Sequence, residues 1–194
     1  MALRIAAIAD THYHAGDLAS CGKRRTAIAD ILLLRAVRRL NRCVRPDLTV
    51  LLGDLIDDPS SAQAEAELQR LKGIVDLLKS PVIVIPGNHD GGIGRFYSVF
   101  PRPADLMDMG GVRFVIFLDP EEPGYNARRT DADLRRMDCA RAGHAGPIVP
   151  SSTSRSFRRA RARAPTGSPT PGTFGRRSSG TASRSLSAGT TTRG

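Results

Sequence analysis

Three short stretches of the chain set acids, an amide and imidazoles directly behind apolar runs: "ADTHYH" at 9–14, "GDLIDD" at 53–58 and "GNHDGG" at 87–92. Asp10, His12, Asp54, Asn88, His89 and Asp90 together offer hard carboxylate and amide oxygens with borderline imidazole nitrogens, a donor set suited to Mn, Fe or Zn. A carboxylate has two oxygens and can bridge two ions, and a pair of ions can activate a water and clamp an anionic group. Taken singly, each signal has an ordinary explanation. Asp10 could cap the next segment, Gly53-Asp54 could be a turn, and Pro-Gly-Asn is a common turn sequence. Their order, each behind a strand-like run, is what points to chemistry.

The elements that must position them follow from apolar spacing. Residues 3–9 read as a first strand. Residues 26–43 read as a helix with Ile28, Ile31, Leu32, Ala36, Leu40 and Cys43 near one face. The run "LTVLL" at 48–52 is a buried strand, 61–79 a helix through Leu68, Leu71, Val75 and Leu78, and 82–85 a third strand. "VRFVIFL" at 112–118 is a fourth strand after a Gly-Gly turn, 131–142 a helix, and 148–149 the start of another strand. The order βαβαβ followed by further strands predicts an α/β domain. In a parallel sheet the carboxyl ends of the first three strands share one edge, where such folds place their sites.

Length and composition bound the rest. A chain of 194 residues suffices for one domain plus a tail. Its net charge of +10 is unevenly placed: residues 151–194 hold nine Arg and no Asp, Glu or Lys, which leaves the first 150 residues nearly neutral. That remainder has no Ile, Val, Met, Tyr or His, and only Phe157, Phe174 and Leu186 could anchor a core, so it reads as a disordered tail. The division therefore falls at about residue 150. Cys21, Cys43 and Cys139 are too widely spaced for a zinc motif and read as reduced, small buried hydrophobes. The first residues lack the long central run and cleavage site of a signal peptide, and no stretch approaches the roughly 20 apolar residues that cross a bilayer. A cytoplasmic, membrane-free protein is the expectation.

Asp-x-His, Gly-Asp and Gly-Asn-His-Asp, in this order, resemble the calcineurin-like metallophosphoesterase family over residues 3 to about 150. The resemblance implies two packed β-sheets flanked by helices, a dinuclear centre of divalent Mn, Fe or Zn, and a phosphoester substrate hydrolysed by a bridging hydroxide. By motif match, Asp10 and His12 would hold the first metal, Asp54 would bridge, and Asn88 would bind the second. His89 would face the phosphate and stabilise or protonate the leaving oxygen, with Asp90 orienting its ring. Asp57 fits a carboxylate behind a metal ligand or a solvated turn residue; His14 a substrate contact or an exposed loop residue; Asp119 a residue over the site or the start of an Asp-Pro turn. Gly91, Gly92 and Gly94 suit close approach of a substrate or a flexible loop. His144 reads as a surface-loop residue.

The family pattern continues with Gln-His-Val-Pro-like and Gly-His-x-His segments, and this chain has neither: its four His are at 12, 14, 89 and 144. Codons compatible with Ser151–Arg155, read one nucleotide out of register, yield Leu-Gln-His-Val-Pro, and those compatible with Ala188–Arg193 yield Gly-His-Tyr-His-Glu. An out-of-register tail is thus the expected cause, with impaired catalysis as its consequence, and a natural low-complexity tail the rival. The alternative function is an inactive protein whose basic tail binds nucleic acid or anionic surfaces, without aromatic residues enough for base stacking.

Overall fold

A computed structural model of the chain describes residues 2–16, 24–119, 121–122, 126–127 and 129–153. Its elements run β1 (Ile5–Ile8), α1 (Ala29–Arg39), β2 (Leu48–Leu52), α2 (Ala64–Val75), β3 (Val82–Ile85), α3 (Ile93–Val99), β4 (Leu106–Met109), β5 (Val112–Ile116), β6 (Glu121–Glu122), β7 (Asn126–Ala127), α4 (Asp131–Ala140) and β8 (Ile148–Ser151). β1, β2 and β3 form a parallel sheet in that order, with Ala7 opposite Val50 and Val50 opposite Ile83. The second sheet is β4-β5-β8, antiparallel at β4–β5 and parallel at β5–β8.

The sheets pack face to face. Leu48, Val50, Ile83 and Ile85 of the first meet Phe114 and Ile116 of the second in one buried cluster. On the other side of the parallel sheet, Leu51 and Val84 join Leu33 and Val37 of α1, Leu68 and Leu71 of α2, and Phe96 of α3. α4 contributes Ala140 beside Val115 and Phe117. Alternate residues of one strand thus serve two different cores, which is why "LTVLL" and "VIVI" are continuous apolar runs. The described residues form an α/β sandwich of two three-stranded sheets flanked by helices, with β6 and β7 paired separately as an antiparallel two-stranded sheet. Among the described residues, no helix is long and apolar enough to cross a membrane.

Two expectations need correction, and one strand was not foreseen. α1 buries Ala29, Leu33 and Val37, whereas Ile31 and Leu32, expected inside, are 52% and 49% exposed. The buried stripe also includes Asp30, whose Oδ2 accepts from Arg70 Nε of α2 at 2.7 Å. β4 went unforeseen because "LMDM" lacks β-branched residues; its strand comes from pairing to β5 around Gly110 and Gly111, both at positive φ. The strand expected to start at 148–149 is β8, which runs through Ser151. Cys43 and Cys139 are exposed rather than buried. Cys21, the expected disordered tail, its nucleic-acid contact and the out-of-register segments past residue 153 lie outside the described residues.

Candidate metal centre

The β1–β2 ladder stops at Ile8 and Leu51 and resumes as a single parallel bridge between Tyr13 and Ile56. Between those points the two chains stay tied: Asp10 N donates to Gly53 O at 3.2 Å, His12 N to Asp54 O at 2.8 Å and Tyr13 N to Leu55 O at 2.8 Å. Asp10, His12 and Asp54 take φ values of +55°, +46° and +52°, a left-handed region uncommon for any side-chain-bearing residue. Each such residue costs about 1–3 kcal/mol and persists only where its surroundings fix it. Here Leu51, Leu55 and Ile56, all fully buried, supply that anchorage.

The strained turns bring three predicted site residues together. His12 Nε2 lies 3.7 Å from Asp10 Oδ1 and 3.8 Å from Asp54 Oδ2. These gaps exceed hydrogen-bond length. Two donors bound about 2.1 Å from one ion sit about 3.0–3.4 Å apart, so His12 and either carboxylate would have to close by a few tenths of an ångström to share a cation. The donor chemistry, two carboxylates and an imidazole, fits a divalent ion, and the Asp10–His12–Asp54 atoms all fall within 4.8 Å of one another. Burial, with the nearby Arg24 guanidinium, lowers the His12 pKa below the ordinary imidazole value and favours the neutral ring; Arg24 Nη1, a donor only, is 3.2 Å from Nδ1, which puts that ring's proton on Nε2, where an ion would have to displace it.

Behind this trio stands Asp57, which is buried and not a solvated turn residue. Its Oδ1 accepts from Arg24 Nη1 at 3.0 Å and lies 3.4 Å from His12 Nδ1. Its backbone carbonyl is 2.7 Å from His89 Nδ1. A carbonyl only accepts, so that nitrogen carries the proton and the Nε2 atom of His89 is left for other work. The rings of His12 and His89 meet edge to face at 4.7 Å. The His89 backbone N donates to Asp54 Oδ1 at 3.1 Å. His12, Asp57 and His89 form a second group of potential ligand atoms, and Arg24 Nη1 already contacts two of them, Asp57 Oδ1 at 3.0 Å and His12 Nδ1 at 3.2 Å.

Asp90 does not orient the His89 ring as expected. Its fully buried carboxylate accepts instead from three backbone groups: Leu55 N at 2.6 Å, Ile56 N at 3.1 Å and Gly87 N at 2.8 Å. It locks the turn after β3 against the turn after β2. Burial pushes the Asp90 carboxyl up to about 6, and the three N–H donors restrain that rise. The folded chain then holds this proton more tightly than the unfolded chain does. This group's contribution is greatest below pH 4 and is lost as the pH climbs through about 6. Between pH 4 and 7, urea unfolding of the metal-free protein should show wild type losing up to about 3 kcal/mol relative to Asp90→Asn.

Asn88 begins a single 3-10 turn, Asn88–Asp90, and is exposed at the same sheet edge. His14 is not an exposed loop residue: its side chain is 16% exposed and its Nδ1 is 2.9 Å from Glu67 Oε1. Asp119 is buried in a pair with Arg129 at 2.8 Å and accepts from Ser152 Oγ. Thr153 Oγ1 donates to Pro86 O at 3.0 Å, so the carboxyl end of β8 reaches the turn that carries Asn88 and His89. His144 packs before β8, its Nε2 3.2 Å from Pro147 O. Gly91 has φ +79°, while Gly92 and Gly94 have open space around them. Arg24 and Glu67 escaped the sequence reading; Glu67 did leave a signal, as an acid on the apolar face of α2 four residues before Leu71.

Two helix-flanked sheets define an α/β protein whose parallel strands bring to one edge acids and imidazoles that could hold a metal ion. The family model for calcineurin-like phosphoesterases matches residues 3–126, and the chain belongs to that family. No curated protein matches the chain.

Proposed function

We propose that the chain is a metal-dependent hydrolase of phosphoester bonds, phosphatase or phosphodiesterase, with Asp10, His12, Asp54 and Asn88 as its metal ligands and His89 as its acid. The convergence of Asp10, His12 and Asp54 at 3.7–3.8 Å carries this reading. Two divalent ions, Mn, Fe or Zn, would supply an acidified water and charge neutralisation of the phosphoryl oxygens. The chain's own residues do the rest. Asp54 offers Oδ2 toward His12 while its Oδ1 fixes the His89 backbone, so one carboxylate sets the distance between metal site and acid. His89, whose Nδ1–H donates to the Asp57 carbonyl, would give a proton from Nε2 to a leaving oxygen as the doubly protonated ring. Asp90 keeps the two turns in register. The carbonyl of Pro86, tied to Thr153, fixes the same turn from the second sheet.

Turnover in this chain should be low. Of its four His, His14 faces Glu67 and His144 faces Pro147, which leaves one imidazole at the trio and one as acid. A second ion would rest on Asp54 and Asn88 with few further ligands, and a ligand-poor site binds weakly. We place the division between the chemical part and the basic tail at about residue 150, and the protein in the cytoplasm. The test is hydrolysis of p-nitrophenyl phosphate and its diester with added Mn²⁺. Weak activity that needs the ion, and falls about 100-fold or more in His89→Ala, is expected. Hydrolysis indifferent to chelation or to His89→Ala contradicts the assignment.

A further inference from the structure

Glu67 is a buried acid that the chemistry above does not use. It sits among Ala64, Leu68 and Leu71, all fully buried, and is itself 2% exposed. A carboxylate in such surroundings is costly unless it is satisfied by specific partners. Glu67 Oε1 accepts from Ala15 N at 2.8 Å and lies 2.9 Å from His14 Nδ1, a close approach without hydrogen-bond geometry, while Oε2 and His14 Nδ1 are both buried with no hydrogen-bond partner. Both contacts go to the loop that follows β1, two and three residues beyond His12. A Cβ on Gly16 would come 2.8 Å from His14 Nε2, so the ring is wedged between the helix and its own loop. A leucine would serve the core at this position better than a half-satisfied acid. The feature that needs a carboxylate is the loop carrying Asp10 and His12 in left-handed conformations.

We propose that Glu67 is a positioning residue for the metal centre, acting through Ala15 and His14 to hold the Asp10–His12 donor pair. The proposal rests on reading Asp10, His12 and Asp54 as a cation site. It couples α2 to that site, so that a change in the helix is felt as a change in ion affinity.

The test compares the full wild-type chain with Glu67→Leu, Glu67→Gln and Val75→Ala, the last a core truncation on the same helix. Two quantities are read: amide hydrogen exchange at Ala15 in metal-free protein, and Mn²⁺ affinity by calorimetry with the ion alone. Glu67→Leu should accelerate Ala15 exchange and weaken Mn²⁺ binding by about tenfold or more. Glu67→Gln keeps an acceptor for Ala15 and should stay within about threefold in both. Val75→Ala should lower the melting temperature and move neither. Unchanged Ala15 exchange in Glu67→Leu overturns the positioning role by itself. Equal loss of Mn²⁺ affinity in Glu67→Leu and Val75→Ala overturns it too, by reducing the effect to stability. A wild-type chain that ignores Mn²⁺ while Glu67→Leu still frees Ala15 refutes the metal reading, and the role of Glu67 falls with it.

Discussion

Asp54→Ala should lose Mn²⁺ affinity by more than about 100-fold and carry metal-dependent hydrolysis down with it. The reason is that Asp54 serves two partners with two oxygens. Oδ2 stands 3.8 Å from His12 Nε2, where an ion would join them, and Oδ1 accepts the His89 N–H at 3.1 Å. Removing the side chain takes a ligand from the site and the anchor from the acid in one step. Asp54→Asn separates these roles. It retains an oxygen for the His89 N–H but drops the charge, so it should bind Mn²⁺ poorly while leaving the 88–90 turn in place. Calorimetry reads the first effect and amide exchange at His89 the second. Affinity in Asp54→Ala equal to wild type would remove Asp54 from the site.

Gly87→Ala should destabilise the fold by about 2–4 kcal/mol in urea unfolding and abolish ion binding. Gly87 has φ −99° and ψ −174°, extended backbone that alanine adopts freely, so the cost is steric alone. A Cβ there would collide with Asp54 Oδ1 and come 2.9 Å from Asp54 Cγ. Gly53 makes the reciprocal demand: it sits at φ +66°, and its Cβ would meet the Gly87 backbone, 2.6 Å from Cα. The two glycines let the turns after β2 and β3 touch backbone to backbone, which brings Asp54 beside His89. Gly92 supplies the control. With φ −68° and nothing within 4 Å of its Cβ position, Gly92→Ala should change stability by no more than about 0.5 kcal/mol. If the two variants unfold alike, the close approach of the turns is not what builds the site.

The apolar runs were enough to place β1, β2, β3 and β5, because a continuous buried run admits few alternatives between turn signals. The same runs placed Asp10, His12, Asp54, Asn88 and His89 on one edge, since parallel strands must end together. What spacing could not reveal was which partner each polar group finds. The buried Asp30 of α1 finds its partner in Arg70, forty residues further on. The task of Asp90 depends on N–H groups freed by the turn after β2, and the burial of His14 on an acid in α2. Those facts are tertiary, and local pattern carries no record of them. β4 was hidden for a related reason, since a strand made by its neighbour need not have strand-like composition.

Anomalous scattering from Mn²⁺-soaked crystals of the full chain tests the central claim most directly. The expected result is a peak bounded by a carboxylate oxygen of Asp10, Nε2 of His12 and a carboxylate oxygen of Asp54, each about 2.0–2.3 Å away. A peak held by other groups, or Asp10 and Asp54 turned away from a site that stays empty at saturating ion, would contradict it.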